Sequence, residues 1–367
     1  MKHNWEYKRL GDVCEIYQPQ TISTQQLVED GEFDVFGANG IIGRYDKYNH
    51  EFPEILLTCR GATCGTINVS NPKSWINGNA MVIHSKMEGL LFNYLKYCLT
   101  TLDYVSIISG AAQPQITRKS LSPVSIPIPP RELQEQIVAE LDEINEGIVE
   151  LREQVKDLDS LAQTLFYETF GDPISNPKGW PVKKLAELVT QKLSYGSGAS
   201  GKEFDGIIRY IRITDIDENG KLKDEIACSP SEYDPKYELK EGDILFARSG
   251  ATVGKTFLYN NLIGRSIYAG YLIKASVNKD LILPIYLNNF SKTLYYWNYI
   301  KKSIRGAAQP NINAKLYGNI PIPVPPLALQ QQFAEQIEEI EAMKRELEAQ
   351  IAEAQTLLDS RMDYWFN

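Results

Sequence analysis

The pentapeptide Gly110-Ala111-Ala112-Gln113-Pro114 returns later in the chain as Gly306-Ala307-Ala308-Gln309-Pro310. A second stretch, Ile126-Pro127-Ile128-Pro129-Pro130, returns as Ile322-Pro323-Val324-Pro325-Pro326. Both pairs are separated by 196 residues, so the register between the two copies holds without a gap. This period is far longer than the roughly 20 to 50 residues of a solenoid repeat. The sequence therefore predicts a duplicated domain, each copy of which is followed by a duplicated tail.

The tail after each Pro-Pro carries the clearest periodicity in the sequence. Leu133–Gln136 keeps the offset of 196 to Leu329–Gln332. Shifting the first tail by 196 gives mostly apolar residues again, with Lys344 and Arg361 among the shifted positions. The apolar residues of the first tail are spaced by threes and fours, as on one face of a helix; they are Leu133, Ile137, Leu141, Ile144, Ile148, Leu151, Val155, Leu158, Ala162 and Leu165.

We therefore expect two long helices, 131–170 and 327–367, each with a coiled-coil seam. At about 1.5 Å per residue, some 40 residues form a rod of about 60 Å, which needs a partner to be stable. The two seams are expected to pack on each other. If an approximate two-fold axis relates the duplicated halves, the pairing is antiparallel and the two variable domains stand at opposite ends.

The segments before the two helices agree more loosely. Lys8–Val13 resembles Lys183–Val189, and Arg60–Thr66 resembles Arg248–Thr256, with offsets that drift as inserted loops would make them. Short β-rich runs alternate with amphipathic stretches, of which 284–300 reads as a helix.

These features predict an α+β fold with an internal pseudo-two-fold duplication. Two tandem mixed α/β domains, 1–130 and 171–326, are joined by two long helices that form an antiparallel coiled coil. The first helix, 131–170, is central, and the second, 327–367, is carboxy-terminal.

The net charge of −9, from 47 acidic and 38 basic side chains, argues against a partner as anionic as DNA when it is averaged over the chain. The charge is, however, segregated. Residues 131–170 carry −8 and residues 327–367 carry −6, whereas residues 1–130 carry −1 and residues 171–326 carry +6. The acidity belongs to the helices. A solvated helix face explains it simply, and a docking surface for basic partner subunits is the alternative.

Metal and membrane sites are not indicated. The five cysteines include no Cys-x-x-Cys pair and the three histidines are scattered, which favours buried free thiols over a zinc site. No run of 18 apolar residues occurs, and Met1–Val13 has no apolar leader segment. We expect a soluble, cytoplasmic protein that does not contact a membrane.

Gly250–Thr256 looks like a phosphate-binding P-loop but is one residue short, and its counterpart in the first copy lacks the lysine. A tight turn that exposes backbone N–H groups beside Arg248, Ser249 and Lys255 is the better interpretation. Such a turn suits the phosphates of a nucleic acid.

Catalytic chemistry is not predicted. Asp215–Gly220 imitates the start of a calcium loop, but Ile226 stands where the bidentate glutamate belongs, so a hairpin turn is expected. The sequence has no Gly-x-Ser-x-Gly elbow, no His-Glu-x-x-His helix and no serine or cysteine with a plausible histidine partner.

Each domain opens with Trp and a basic-apolar segment and closes with Gly-Ala-Ala-Gln-Pro, Ile-Pro-x-Pro-Pro and a Leu-x-x-Gln helix. This arrangement, together with Phe36–Gly43 and the Gly-Ala-Thr turns, resembles the specificity subunits of type I restriction–modification systems over essentially the whole chain. The resemblance implies two target-recognition domains that each read one half of a split double-stranded DNA sequence. It also implies that the two helices space the domains.

The resemblance further implies a chain without catalytic activity and without a cofactor of its own. Its partners would be two modification (methyltransferase) subunits, which use S-adenosylmethionine to methylate adenine, and restriction subunits with translocase and nuclease activity. ATP and Mg would likewise be bound by partner subunits.

In such domains lysine and arginine bind phosphates, and polar side chains read base edges. The candidate DNA-binding residues on this basis are Asn39, Arg44, Arg60, Thr63 and Arg118 in the first domain, and Lys192, Ser194, Tyr195, Ser197, Arg212, Arg248, Ser249, Lys255 and Arg265 in the second.

Two other functions are compatible with the same residues. The rod would serve equally well in a coiled-coil scaffold that carries two protein-binding domains. A nucleotide-hydrolysing enzyme that uses the Gly250 turn is a further alternative.

Overall fold

The computed structural model describes residues 5–110, 114–217, 219–304 and 310–367. Most of both repeated Gly-Ala-Ala-Gln-Pro stretches therefore lies outside the described residues. The chain forms two compact units. The first unit is Met1–Leu151 with Ala349–Asn367, and the second unit is Arg152–Glu348.

The first unit contains a four-stranded sheet of order β2-β8-β5-β6, a three-stranded sheet of order β4-β3-β7 and the antiparallel pair β1-β9. Its strands are β1 (Glu6–Arg9), β2 (Cys14–Tyr17), β3 (Phe33–Gly37), β4 (Gly40–Tyr45), β5 (Ile55–Thr58), β6 (Ile67–Val69), β7 (Trp75–Ile76), β8 (Ala80–Ser85) and β9 (Ser125–Ile128). Its helices are α1 (Leu10–Val13), α2 (Phe92–Thr100), α3 (Arg118–Leu121) and the first half of α4 (Arg131–Phe170).

The second unit repeats this plan with a four-stranded sheet of order β11-β18-β15-β16, the pairs β12-β14 and β13-β17, and the antiparallel pair β10-β19. Its strands are β10 (Val182–Lys184), β11 (Ser194–Tyr195), β12 (Gly201–Glu203), β13 (Arg209–Ile211), β14 (Cys228–Pro230), β15 (Ile244–Ala247), β16 (Thr256–Leu258), β17 (Ser266–Tyr268), β18 (Leu272–Ala275) and β19 (Pro321–Pro323). Its helices are α5 (Pro284–Phe290), α6 (Leu294–Ile304), α7 (Ala314–Gly318) and part of α8 (Leu327–Phe366).

The predicted duplication is confirmed at the level of single backbone hydrogen bonds. The Leu10 N–H donates to the Val124 carbonyl at 2.7 Å, and the Leu185 N–H donates to the Ile320 carbonyl at 3.0 Å. Lys8 faces Ile126 across β1 and β9, as Lys183 faces Ile322 across β10 and β19. The Pro-rich repeat thus forms the strand that precedes each long helix.

The two long helices confirm the predicted antiparallel coiled coil. The amino-terminal half of α4 packs with the carboxy-terminal half of α8 in the first unit, where Ile137, Leu141 and Leu358 are buried in one cluster. The other halves pack together in the second unit, where Phe166 and Phe333 meet edge to face at 5.8 Å.

The predicted helix over 284–300 is wrong in one respect, because the structure has two helices, α5 and α6. The break is made by the buried Thr293. Its hydroxyl donates to the Phe290 carbonyl at 2.7 Å and accepts from the Tyr296 N–H at 3.3 Å. A side chain that bonds to nearby backbone in this way competes with the helical ladder.

Two buried glutamines explain the repeated start of the long helices. In the first unit the Gln134 Oε1 accepts the Leu91 N–H at the start of α2 (3.0 Å), and its Nε2 donates to the Pro129 carbonyl (3.0 Å). The side chain is 2% exposed. Each amide therefore ties the end of a strand and the start of a domain helix to a long helix.

Gln330 makes the same contacts in the second unit. Its Oε1 accepts the Leu283 N–H at 2.8 Å and its Nε2 donates to the Pro325 carbonyl at 2.8 Å. Next to these amides, the hydroxyls of Tyr94 and Tyr286 donate to the carbonyls of the first prolines in the repeat, Pro127 and Pro323.

The two polar residues of the second seam, Lys344 and Arg361, are ion-paired with α4. In the first unit Arg361 pairs with Glu140, whose Oε2 also accepts the Trp365 Nε1–H at 2.9 Å. In the second unit the buried Lys344 pairs with Asp159 and, at 3.0 Å, with Glu341. Polar groups inside a coiled-coil seam specify its register.

We predict that Gln134→Leu lowers the stability of the chain, since it leaves the Leu91 N–H and the Pro129 carbonyl buried without a partner. Each unsatisfied group costs about 1 to 3 kcal/mol. The midpoint of denaturant unfolding is the measurement. Gln136→Leu, at an exposed position on the same helix, is the control. If Gln136→Leu lowers the unfolding midpoint as much as Gln134→Leu does, the role given to Gln134 is contradicted.

We predict that Arg361→Leu reduces the free energy of unfolding at pH 7 by about 0.5 to 1 kcal/mol, since the Arg361 and Glu140 side chains are 30% and 33% exposed. The Arg361 hydrogen bonds lower the pKa of Glu140 from its ordinary value of 4.5. The stabilisation is therefore present above that value and lost as the pH falls through the lowered pKa. The difference in the free energy of unfolding between the wild type and Arg361→Leu should therefore become smaller as the solution is made acidic.

The double variant Arg361→Leu/Glu140→Gln is the control for this experiment. It installs the residues found at the equivalent positions of the other copy, Leu165 and Gln336. We expect its unfolding midpoint at pH 7 to return toward the wild-type value. If the difference in the free energy of unfolding between the wild type and Arg361→Leu does not change with pH, the stabilising role of the ion pair is contradicted.

Candidate nucleic-acid interface

The same backbone hydrogen bonds hold a glycine turn at the end of the four-stranded sheet in both units. The Gly61 N–H donates to the Pro114 carbonyl at 3.0 Å, and the Gly250 N–H donates to the Pro310 carbonyl at 3.1 Å. Both glycines have positive φ, +86° and +68°, which favours glycine. The proline of each repeated pentapeptide thus fixes the Gly-Ala-Thr turn, and Gly250 lies in a tight turn as predicted. The expectation that this turn exposes its backbone N–H groups is wrong for Gly250, Val253, Gly254 and Lys255, whose N–H groups donate to carbonyls of the same unit.

These hydrogen bonds correct the alignment of the two turns by one residue. The Ile116 N–H donates to the Cys59 carbonyl at 3.0 Å, and the Ile312 N–H donates to the Arg248 carbonyl at 2.8 Å. Cys59 is therefore the counterpart of Arg248, and Arg60 is the counterpart of Ser249. The sequence comparison had matched the two arginines by residue type, although the apolar runs Ile55–Leu57 and Ile244–Phe246 before the turns align without a gap and already place Cys59 opposite Arg248.

In the first unit the structure brings Asn39 and Thr63 together at the surface. Asn39 lies in the turn between β3 and β4, and Thr63 lies in the turn between β5 and β6. The Asn39 Nδ2 lies 2.9 Å from the Thr63 Oγ1, and the Asn39 Oδ1 accepts the Thr58 hydroxyl at 2.9 Å. Arg60, on the same β5–β6 turn, is exposed.

In the second unit Tyr195, Arg248 and Asn311 come together, and we call them the Arg248 cluster. The Arg248 guanidinium lies over the Tyr195 ring at 4.8 Å, and one terminal nitrogen donates to the Asn311 Oδ1 at 3.3 Å. The Tyr195 hydroxyl accepts the Ala314 N–H at 3.1 Å. Guanidinium groups stack readily on aromatic faces.

Three other candidate arginines bind groups of their own domain. Arg44 donates to the carbonyls of Gly31 (2.6 Å) and Glu32 (2.8 Å). Arg212 binds the fully buried Asp215 at 2.8 Å.

Arg265 donates to Glu238 at 2.9 Å and to the Tyr233 hydroxyl at 2.9 Å. The Arg265 hydrogen bond lowers the pKa of Glu238, so this pair is charged at neutral pH. These contacts occupy much of the donor capacity of the three side chains.

The remaining candidates are dispersed. The Ser194 hydroxyl lies 2.8 Å from the Tyr268 hydroxyl, and the buried Ser197 accepts the Ala199 N–H at 3.1 Å on its side chain. Lys192 lines a cavity of about 420 Å³ together with Lys315.

Ser249 and Lys255 belong to the Gly250 turn. The Ser249 carbonyl accepts the Thr252 hydroxyl at 3.0 Å, and the Lys255 N–H donates to the Thr252 carbonyl at 3.0 Å. Arg118 is the exposed first residue of α3, whose amino terminus is capped by Thr117.

Sequence reasoning missed Asn311 and its counterpart Gln115. Both follow the repeated Gln-Pro directly, at the offset of 196, and both carry a side-chain amide. Backbone bridges connect Gln115 to Arg60 and Asn311 to Ser249. The shared amide after the repeat was the signal that could have identified them.

Over the described ranges, no three His, Cys, Asp or Glu residues are grouped so as to hold a metal ion. Of the helices that the structure describes, none is long and apolar enough to cross a membrane. In place of a calcium loop, Asp217 and Lys221 lie in a hairpin turn, as expected: the Asp217 N–H donates to the Lys221 carbonyl at 2.9 Å, and the Asp217 Oδ1 accepts the Asn219 N–H (2.8 Å) and the Lys221 N–H (2.7 Å).

Comparison with known proteins gives one consistent result. The family model described as "Type I restriction modification DNA specificity domain" matches residues 2–158 and 177–354. A Haemophilus influenzae chain, named as a candidate type I restriction enzyme specificity subunit, is 24% identical, and the match covers 98% of this chain and 94% of that one. A type I restriction enzyme specificity subunit of Methanocaldococcus jannaschii is 23% identical, with 96% and 90% covered.

The fold is also that of a solved structure. The crystal structure of a type I restriction–modification S subunit from M. genitalium superposes with a TM-score of 0.58 at 15% identity. The superposition covers 99% of this chain and 96% of that chain.

We predict that Arg212→Ala destabilises the second unit, because it leaves Asp215 buried without its cation. Breaking such a pair costs about 3 kcal/mol or more. Arg60→Ala is the control, since the exposed Arg60 side chain has no hydrogen bond or ion pair among the residues that the structure describes. The denaturant midpoint should fall for Arg212→Ala only, and an unchanged midpoint would refute a structural role for Arg212.

Proposed function

This chain belongs to the family of type I restriction–modification DNA specificity subunits, and we propose that it reads a bipartite DNA sequence with one domain for each half. In this proposal the bound sequence directs adenine methylation, or restriction, by partner subunits. Specificity subunits are not enzymes, and the role of this chain is recognition.

The duplicated turn is the single observation that best supports one reading surface per domain. The Gly61 and Gly250 turns have the same backbone hydrogen bonds, yet the side chains that they present differ. Cys59 and Arg60 stand where the other copy has Arg248 and Ser249. A fixed backbone with different side chains is what reading two different half-sequences requires, since base edges are distinguished by side-chain donors and acceptors.

We propose that affinity comes from the domains and assembly from the helices. The two domains together carry +5, which favours DNA phosphates, whereas the helical segments carry −8 and −6. The acidic helices would attract basic surfaces of partner subunits and would be repelled by DNA. The first domain, at −1, would bind DNA weakly by itself, so the assembled complex should hold DNA more tightly than this chain alone.

The partners we propose are two methyltransferase subunits, which bind S-adenosylmethionine, and restriction subunits, which bind ATP and Mg. No cofactor is assigned to this chain. The proposed DNA-binding residues are the fourteen candidates named above, and the complex would act in the cytoplasm, where it has access to the chromosome.

Sequencing of methylated adenines in cells with and without the gene tests this function. We expect one bipartite motif to lose its methylation when the gene is deleted and to regain it when the gene is restored. A methylome that does not change in any motif would refute the proposal. A deletion of the partner methyltransferase gene is the positive control, since it should erase the same motif.

We predict that replacing residues 171–326 by the corresponding domain of another family member changes one half of the methylated motif only. The reason is that residues 1–130, including the Gly61 turn, stay as they were. Methylome sequencing of the exchanged strain is the measurement. The reciprocal exchange of residues 1–130 is the control, and a change in both halves from either exchange would contradict the modular assignment.

A further inference from the structure

The Arg248 side chain is held in place by its backbone and by two neighbours. Its N–H donates to the Tyr271 carbonyl at 3.0 Å and its carbonyl accepts the Ile312 N–H at 2.8 Å, so the residue is fixed on both sides. The guanidinium is stacked on Tyr195 and bonded to Asn311. An arginine fixed in this way loses little conformational freedom when it binds a ligand.

The donors of Arg248 are largely unused. Its Nε is buried and has no hydrogen-bond partner among the residues that the structure describes. Within the described residues no carboxylate lies at ion-pair distance from its guanidinium, in contrast to the carboxylates beside Arg212 and Arg265. The buried Nε therefore costs free energy in the unbound chain, and the terminal N–H groups that Asn311 does not use are the ones available to a bound acceptor.

The surface around Arg248 is open and suited to a base. Tyr195 is 42% exposed and Tyr271 is 61% exposed, although both are large aromatic residues. Asn311 is exposed as well. Arginine, amide and tyrosine side chains together provide the donors, acceptors and apolar edges that contact base pairs in the major groove.

The first unit has neutral side chains at the same positions. The sheet registers make Gln18 the counterpart of Tyr195, as Cys59 is of Arg248. The Gln18 Nε2 donates to the Cys59 Sγ at 3.3 Å and to the Gly78 carbonyl at 2.8 Å. Burial raises the pKa of the Cys59 thiol, so this position is uncharged at neutral pH. Only the second unit therefore has a cation at this position, whereas the exposed Arg60 of the first unit lies one residue further along its turn.

We propose that Arg248 recognises a guanine in the half-sequence read by the second unit, with Tyr195 and Asn311 as positioning residues. The inference rests on the proposed function. Two N–H groups of the guanidinium fork match the O6 and N7 acceptors of guanine in the major groove. Tyr195 keeps the fork in its plane, and the Asn311 carbonyl oxygen fixes one of its ends. A DNA phosphate is the competing acceptor for the same cation.

The variants Arg248→Gln and Arg248→Lys, each assembled with the methyltransferase subunits, distinguish base from phosphate. The readouts are the methylated motif and the binding of duplexes that differ at single positions of each half. We expect Arg248→Gln to reduce the preference for one G·C pair in one half by roughly 5- to 150-fold, and to leave the other half unchanged. Arg248→Lys should also lose preference, because it lacks the planar fork.

Lys236→Gln is the matched control, since it removes one exposed cation from the same unit outside the Arg248 cluster. It should leave the motif unchanged. Unfolding midpoints of all variants should lie close to the wild-type value, because Arg248 has no ion-pair partner among the described residues and the Lys236–Asp234 pair is exposed, with side chains 65% and 37% exposed.

Two outcomes would overturn the inference. Uniformly weaker binding of all duplexes by Arg248→Gln, with an unchanged motif and recovery by Arg248→Lys, would assign Arg248 to a phosphate. A motif with no G·C position that depends on residue 248 would exclude base recognition. If the wild-type complex methylates no bipartite motif, the proposed function itself fails, and this result is separate from the other two.

Discussion

The organisation of each unit depends on one buried side-chain amide. Gln134 and Gln330 each join three elements, namely the Pro-rich strand, the first helix of the domain and a long helix. Because both hydrogen-bonding groups of the amide are used and neither reaches water, its replacement leaves buried polar groups behind. Each domain is therefore joined to its long helix by a directional contact as well as by apolar packing.

The long helices show how a duplicated sequence avoids being fully symmetric. Arg361 and Lys344 each replace an apolar residue of the first copy, Leu165 and Ile148. Their acidic partners lie on α4, at Glu140 and Asp159. Each ion pair therefore occurs in one unit only. Such asymmetry favours the pairing of α4 with α8 over the pairing of either helix with a second copy of itself. Two copies of α4 would place Glu140 and Asp159 against the apolar Leu165 and Ile148, and two copies of α8 would place Arg361 and Lys344 against the uncharged Gln336 and Gln355.

The sequence was sufficient to predict the architecture but not the state of each candidate side chain. The helix starts at Arg131 and Leu327 were predicted because apolar periodicity and preceding prolines are local signals. The contacts that bind Arg265 to Glu238 or place Tyr195 beneath Arg248 join residues far apart in the chain, so no local pattern contains them. Even the Arg212–Asp215 pair, three residues apart, depends on a turn whose burial is a tertiary property.

The glycine turns have a consequence for how such a chain can vary. Their conformation is specified by main-chain donors and acceptors and by the positive φ of Gly61 and Gly250. The side chains of Arg60, Arg248 and Ser249 play little part in holding it, whereas the Cys59 side chain is 1% exposed and packs in the core of the first unit. Mutation at Arg60, Arg248 or Ser249 is therefore nearly uncoupled from folding. Under the proposed function, a new recognition sequence can arise there by single substitutions in an otherwise unchanged scaffold, because main-chain atoms specify the turn and side chains specify the bound sequence.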